Sequence, residues 1–131
     1  MEIAFRAALI TWMASDSALS AGLTAIVEEA PSRAALPWLA LTASASTDWG
    51  TKDLRGREIR VALELNYRGD DPLSEAALVG AIERRVESLP SDQSALGFRI
   101  ANLTFMRARA EQRGEARRAL MLDYRARVLA A

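Results

Sequence analysis

From Arg57 to Tyr67 the chain alternates without a break. Ile59, Val61, Leu63, Leu65 and Tyr67 interleave with Arg60, Ala62, Glu64 and Asn66. A period of two fits an extended strand with one face buried and the other in water. The last segment repeats the pattern. Leu120, Leu122, Tyr124, Ala126 and Val128 fall on one side, with Arg117, Met121, Asp123, Arg125 and Arg127 on the other. Two long half-buried strands far apart in sequence constrain the chain to a sheet with cover on one face, so the remaining segments must include that cover.

Residues 2–15 supply part of it. Ile3, Ala7, Ile10 and Ala14 share a helical face that Phe5, Leu9, Trp12 and Met13 widen. Asp16 and Ser17 either stop this helix or cap a short second one ending near Gly22. Leu23–Val27 reads as a short strand and Glu28–Leu36 as a loop. Pro37–Thr47 reads as a strand entered through a proline that has no ladder donor to lose. Asp48–Gly56, with two glycines and mixed charge, reads as a nine-residue hairpin loop long enough to project. After a turn at Arg68–Asp71, the pair Asp71–Pro72 predicts an N-cap and a preset first helical residue. The helix it opens, Pro72–Leu89, places Leu78, Ile82, Val86 and Leu89 on one face and stops at Pro90. Ser91–Gly97 reads as a polar loop. Phe98–Ala110 and Ala116–Leu129 read as a hairpin turning at Glu111–Glu115. The order α-β-β-β-α-β-β predicts an α+β fold: a single domain over residues 1–131, with a mainly antiparallel β-sheet and an N-terminal and a mid-chain helix packed on it.

Composition narrows the chemistry. The 131 residues include no His and no Cys, which removes the imidazole base, the thiol nucleophile, disulfides and thiolate or His-ligated metal sites. Lys52 is the only lysine, and the other sixteen basic residues are arginines, too basic to accept a proton. No dinucleotide or P-loop glycine motif occurs. Seventeen basic residues balance seventeen acidic ones, unlike a plain electrostatic nucleic-acid binder. No cofactor and no metal is expected. The acidic pairs Glu28–Glu29 and Asp70–Asp71 read as loop or capping residues. Glu64 and Asp123 read as surface charges on strands rather than catalytic carboxylates. No segment is apolar enough to span a membrane, and the N-terminus lacks the basic start of a signal peptide, so a cytoplasmic protein is expected.

Two regions remain as candidate protein interfaces. The long loop carries Asp48, Trp49, Lys52, Asp53, Arg55 and Arg57, with Trp49 either an anchor for a partner or a lid on its own sheet. Trp12 and Trp38 sit within apolar patterns and read as core. The closing hairpin is basic. Residues 97–131 hold eight arginines against Glu111, Glu115 and Asp123, with Arg107, Arg109, Arg113, Arg117 and Arg118 around its turn. That cluster reads either as a docking tongue or as a solvated tip with cross-strand ion pairs. Few aromatics accompany it, which favours a protein partner over single-stranded nucleic acid.

Three stretches together resemble a known family. They are the strand segment ALPWLALTASAST after an N-terminal helix, the strand-to-helix passage GREIRVALELNYRGDD…SEAALVGAIERRVESL, and the hairpin FRIANLTFMRARAEQRGEARRALMLDYRARVLA. In order and length they resemble the tail terminator, or tail completion, proteins of long-tailed phages and phage-derived gene transfer agents. The resemblance implies a non-enzymatic structural protein of particle assembly. It implies a homohexameric ring at the head-proximal end of the tail tube that stops tube polymerisation. Its implied partners are the tail tube protein and a head-completion or stopper protein, with DNA passing through the ring without specific binding. It implies a location in the bacterial host cytoplasm during assembly and then in the tail of the particle. The alternative from the residues alone is a small cellular module that uses the Arg-rich hairpin on RNA or an acidic protein.

Overall fold

A computed structural model describes residues 1–29, 34–71 and 73–131. Helices α1 (Glu2–Ala14) and α2 (Ser17–Gly22) precede strands β1 (Ala25–Val27), β2 (Trp38–Asp48) and β3 (Gly56–Arg68). Helix α3 (Ala76–Glu87) follows, then β4 (Asp92–Gln93), a 3-10 turn at Ser94–Leu96, β5 (Phe98–Gln112) and β6 (Arg117–Ala130). The strands form one six-stranded sheet in the order β1-β2-β3-β6-β5-β4. Its pairings are antiparallel except for β1 beside β2.

The two alternating segments are neighbours at the centre of the sheet. Ile59, Val61, Leu63 and Leu65 lie opposite Ala126, Tyr124, Leu122 and Leu120. Their shared face, with Leu39 and Leu41 of β2, packs against Phe5, Leu9 and Met13 of α1 and Ile82 and Val86 of α3. Thirteen of these fifteen side chains, all but Leu120 and Val61, are all but completely removed from water. Burial on that scale is the main stabilising term of the fold. The α+β expectation and its element order are met.

The boundaries differ in three places. Helix α3 begins at Ala76, not Pro72. The Asp71 carboxylate accepts from the Leu73 N–H at 2.9 Å and its carbonyl from the Ser74 N–H at 3.0 Å, so Asp71 closes a turn rather than capping the helix. Pro72 itself lies outside the described residues, as does the 30–33 part of the expected loop. Asp16 does cap α2, accepting from the Leu19 N–H at 3.1 Å. The expected polar loop before β5 contains β4, whose Asp92 and Gln93 pair with Arg99 and Phe98. The hairpin turn is tighter than expected: β5 runs on to Gln112, and Gly114, Glu115 and Ala116 reverse the chain at positive φ.

The candidate cores at the tryptophans also resolve. Trp38 is buried, whereas Trp12 is only partly so. The Trp12 indole N–H donates to the Arg85 carbonyl at 2.9 Å, and the Arg85 guanidinium lies 3.5 Å above the ring, tying α1 to α3.

Candidate assembly surfaces

The long loop and the hairpin tip stand at opposite ends of β3. Gly56 pairs with Leu129 at one end, and Arg68 pairs with Arg117 at the other. Within one copy of the chain the two candidate interfaces are therefore separate surfaces.

At the loop, the Trp49 N–H donates to the Gly56 carbonyl at 3.0 Å, and that of Thr51 to the Leu54 carbonyl at 2.8 Å. These bonds narrow the loop to residues 49–55. The Trp49 ring is half-buried, with the Arg127 guanidinium 5.6 Å from its centroid. It folds back toward its own sheet yet keeps part of its surface in water. Asp48, Lys52, Asp53, Arg55 and Arg57 are exposed, and Arg57 donates to Ser46 Oγ at 3.3 Å. Among the described residues none of these five forms an ion pair.

The arginines of the hairpin are more engaged. Arg107 Nε sits 2.6 Å from Asp123 Oδ2, and Arg109 Nε sits 3.6 Å from the same oxygen. Arg113 bridges Glu64 at 2.8 Å and Glu111 at 3.1 Å; the bond it donates to Glu111 leads in holding its pKa above the ordinary value. Arg118 donates to the Gly69 carbonyl at 2.8 Å, binding the tip to the turn after β3. Arg117 is exposed, with no ion pair among the described residues. Glu64 and Asp123 are thus anchors for arginines. Exposed pairs of this kind stabilise little and leave arginine donors available to a partner.

The face of the sheet without helices forms a trough of about 480 Å³ between β2 and β5, lined by Ala43, Ala45, Arg60, Ala62, Arg109 and Asp123 among others. Its one carboxylate, Asp123, is held by Arg107 and Arg109. Among the described residues no cluster of carboxylates could hold a metal ion, and Glu28 pairs instead with Arg6 at 2.9 Å. No described helix is long and apolar enough to cross a membrane.

One feature escaped the sequence pattern. From Thr104 to Gln112 every residue of β5 is exposed, on both faces, and Phe105 and Met106 are each 41% exposed. Arg107 and Arg109 still alternate with Ala108 and Ala110, and the break at Phe105–Met106 falls at the register shift of β5.

Among the described residues the chain is one sheet with helices packed on one face and arginines along the open part of β5. The model of the family described as "Tail completion protein gp17" matches residues 7–129, and the chain belongs to that family. The fold is similar to that of a chain in a solved structure described as "Virion of native gene transfer agent (GTA) particle". The TM-score is 0.74 at 21% identity, with 95% of this chain and 94% of that chain covered. No curated protein sequence matches the chain. The family resemblance read from the three stretches is thus met.

Proposed function

We propose that this protein is a tail terminator: a homohexameric ring that caps the head-proximal end of the tail tube, stops its polymerisation and joins it to a head-completion protein. The observation that supports this reading most is membership of the tail completion family across residues 7–129, with a matching fold in a gene transfer agent virion. The chain serves as one domain with no enzymatic role, consistent with its lack of His and Cys. A cyclic ring needs two different complementary patches on each copy. Asp48, Trp49, Lys52, Asp53, Arg55 and Arg57 at one end, and Arg107, Arg109, Arg113, Arg117 and Arg118 at and beside the other, are proposed as surfaces that meet neighbours, tube or head proteins. DNA passes through the ring, and the zero net charge keeps its grip weak. The protein collects in the host cytoplasm during assembly and ends in the tail of the particle.

Deleting the gene and imaging the particles tests this. Overlong tails, or tails without heads, are the expected outcome. Normal joined particles would overturn it.

A further inference from the structure

On the helix-free face, arginines stand in three successive rows across the sheet. Arg60 of β3 lies directly opposite Arg125 of β6. The next row holds Ala62, Asp123 and Arg107, and the one after it Glu64, Met121 and Arg109. Like charges directly opposite one another in antiparallel strands repel. Arg60 is exposed and forms no ion pair among the described residues. Arg125 approaches Glu58 only at 3.7 Å, and its Nε is buried with no hydrogen-bond partner among the described residues. Arg107 and Arg109 share the single carboxylate of Asp123, both through Nε. Glu58 and Glu64 are bound more closely by Arg127 and Arg113. The strip therefore carries surplus positive charge within a neutral chain.

Arg60, Arg107 and Arg109 line the trough of about 480 Å³, with Ala43, Ala45 and Ala62 beneath them. Alanines on that floor let another main chain come close. Successive rows on one face of a sheet are two residues apart, about 6.6–6.8 Å. Every second side chain of an extended peptide repeats at the same distance. We infer that the trough binds an extended acidic segment of another protein, with carboxylates at alternate positions set against the three rows of arginine. Arginine suits this, since its planar fork can take a carboxylate through two N–H groups.

Two other occupants fit less well. Single-stranded nucleic acid gains most of its hold on such a groove by stacking bases on aromatic rings. Tyr124 borders the trough but turns its ring into the core on the opposite face, edge-on to Phe105. A second copy of this chain does not supply the segment, because nowhere in its 131 residues do two acidic residues stand two apart. The trough lies within one copy, so it does not depend on the ring reading.

Fluorescence anisotropy on the full chain tests this with a labelled octapeptide of alternating Ala and Glu. The native chain should bind it at low salt, and the same peptide with Gln in place of Glu should not bind. Arg60→Gln should weaken binding about tenfold or more, as the loss of a charge-assisted contact does. Ala62→Leu fills the floor and leaves every charge in place, and it should weaken binding as much. Arg84→Gln removes an equal charge from the exposed surface of α3 and should leave binding unchanged. Equal losses from Arg60→Gln and Arg84→Gln, or full binding by Ala62→Leu, would reduce the effect to diffuse charge and overturn the assignment. Displacement of the labelled peptide by unlabelled oligo-dT more readily than by unlabelled peptide would overturn it in favour of nucleic acid. Absence of binding to the native chain would also overturn it, and would leave the tail terminator reading standing.

Discussion

At the scale of single residues, three side chains make distinct predictions for stability. Glu2 accepts hydrogen bonds from Ser46 and Ser44, at 2.6 and 3.0 Å, joining the start of α1 to the open part of β2. These bonds hold its carboxyl below the ordinary 4.5. A depressed carboxylate pKa adds stability that is present above the unfolded value and lost as pH falls through the folded one. Thermal melts should therefore show Glu2→Gln less stable than the native chain at neutral pH, the gap closing well below pH 4.5. Arg85 is the second case. Its Nε donates to the Trp12 carbonyl at 2.9 Å while its guanidinium stacks on the indole. Arg85→Ala should lose about 1–2 kcal/mol in denaturant titration, and Arg85→Lys should recover little of it, since an ammonium has no planar fork. The Tyr124 hydroxyl is the third, buried with no hydrogen-bond partner among the described residues, and burial pushes its pKa up. Tyr124→Phe should be neutral or stabilising, because it removes an unsatisfied polar atom while keeping the edge-on contact with Phe105.

At the scale of elements, the turn between β5 and β6 is a place to gain stability. Ala116 sits at φ 61, a left-handed conformation that costs a residue with a Cβ about 1 kcal/mol. Ala116→Gly should raise stability by about 0.5 kcal/mol after its unfolded-state entropy is counted, measurable as a higher denaturation midpoint. Leu63→Ala, by contrast, opens a hole between β3, β6 and the helices and should cost about 2–5 kcal/mol. The elements themselves were legible wherever a periodic pattern had a buried face to match. β3, β6 and α1 follow directly from Ile59–Leu65, Leu120–Val128 and Phe5–Met13. Where local hydrogen bonding decided the structure, the pattern was silent. Asp71 looked like a cap and closes a turn, and the two residues of β4 exist only because Phe98 and Arg99 offer them an edge. The candidate interfaces were legible as composition, an odd loop and a run of arginines. That they stand at opposite ends of β3 required the register of the sheet.

At the scale of the whole molecule, neutrality is arranged rather than diffuse. On the helix-free face Arg107 and Arg109 converge on Asp123, Arg113 on Glu64, and Arg125 and Arg127 on Glu58 at 3.7 and 3.2 Å. Each carboxylate holds back arginines that could otherwise grip phosphate. The proposed passage of DNA through a ring would call for this, since every additional phosphate contact strengthens binding and steepens its dependence on salt. The native chain should give no shift of generic duplex DNA at micromolar protein and physiological salt. Glu58→Gln with Asp123→Asn removes two negative charges and frees four arginines on one face. That variant should bind the same DNA detectably at low salt, with affinity falling steeply as salt rises. Glu28→Gln with Asp53→Asn changes the net charge equally but leaves those pairs intact, and it should bind far less. Equal binding by the two variants would mean that net charge alone sets the affinity and that the pairing on this face has no part in it.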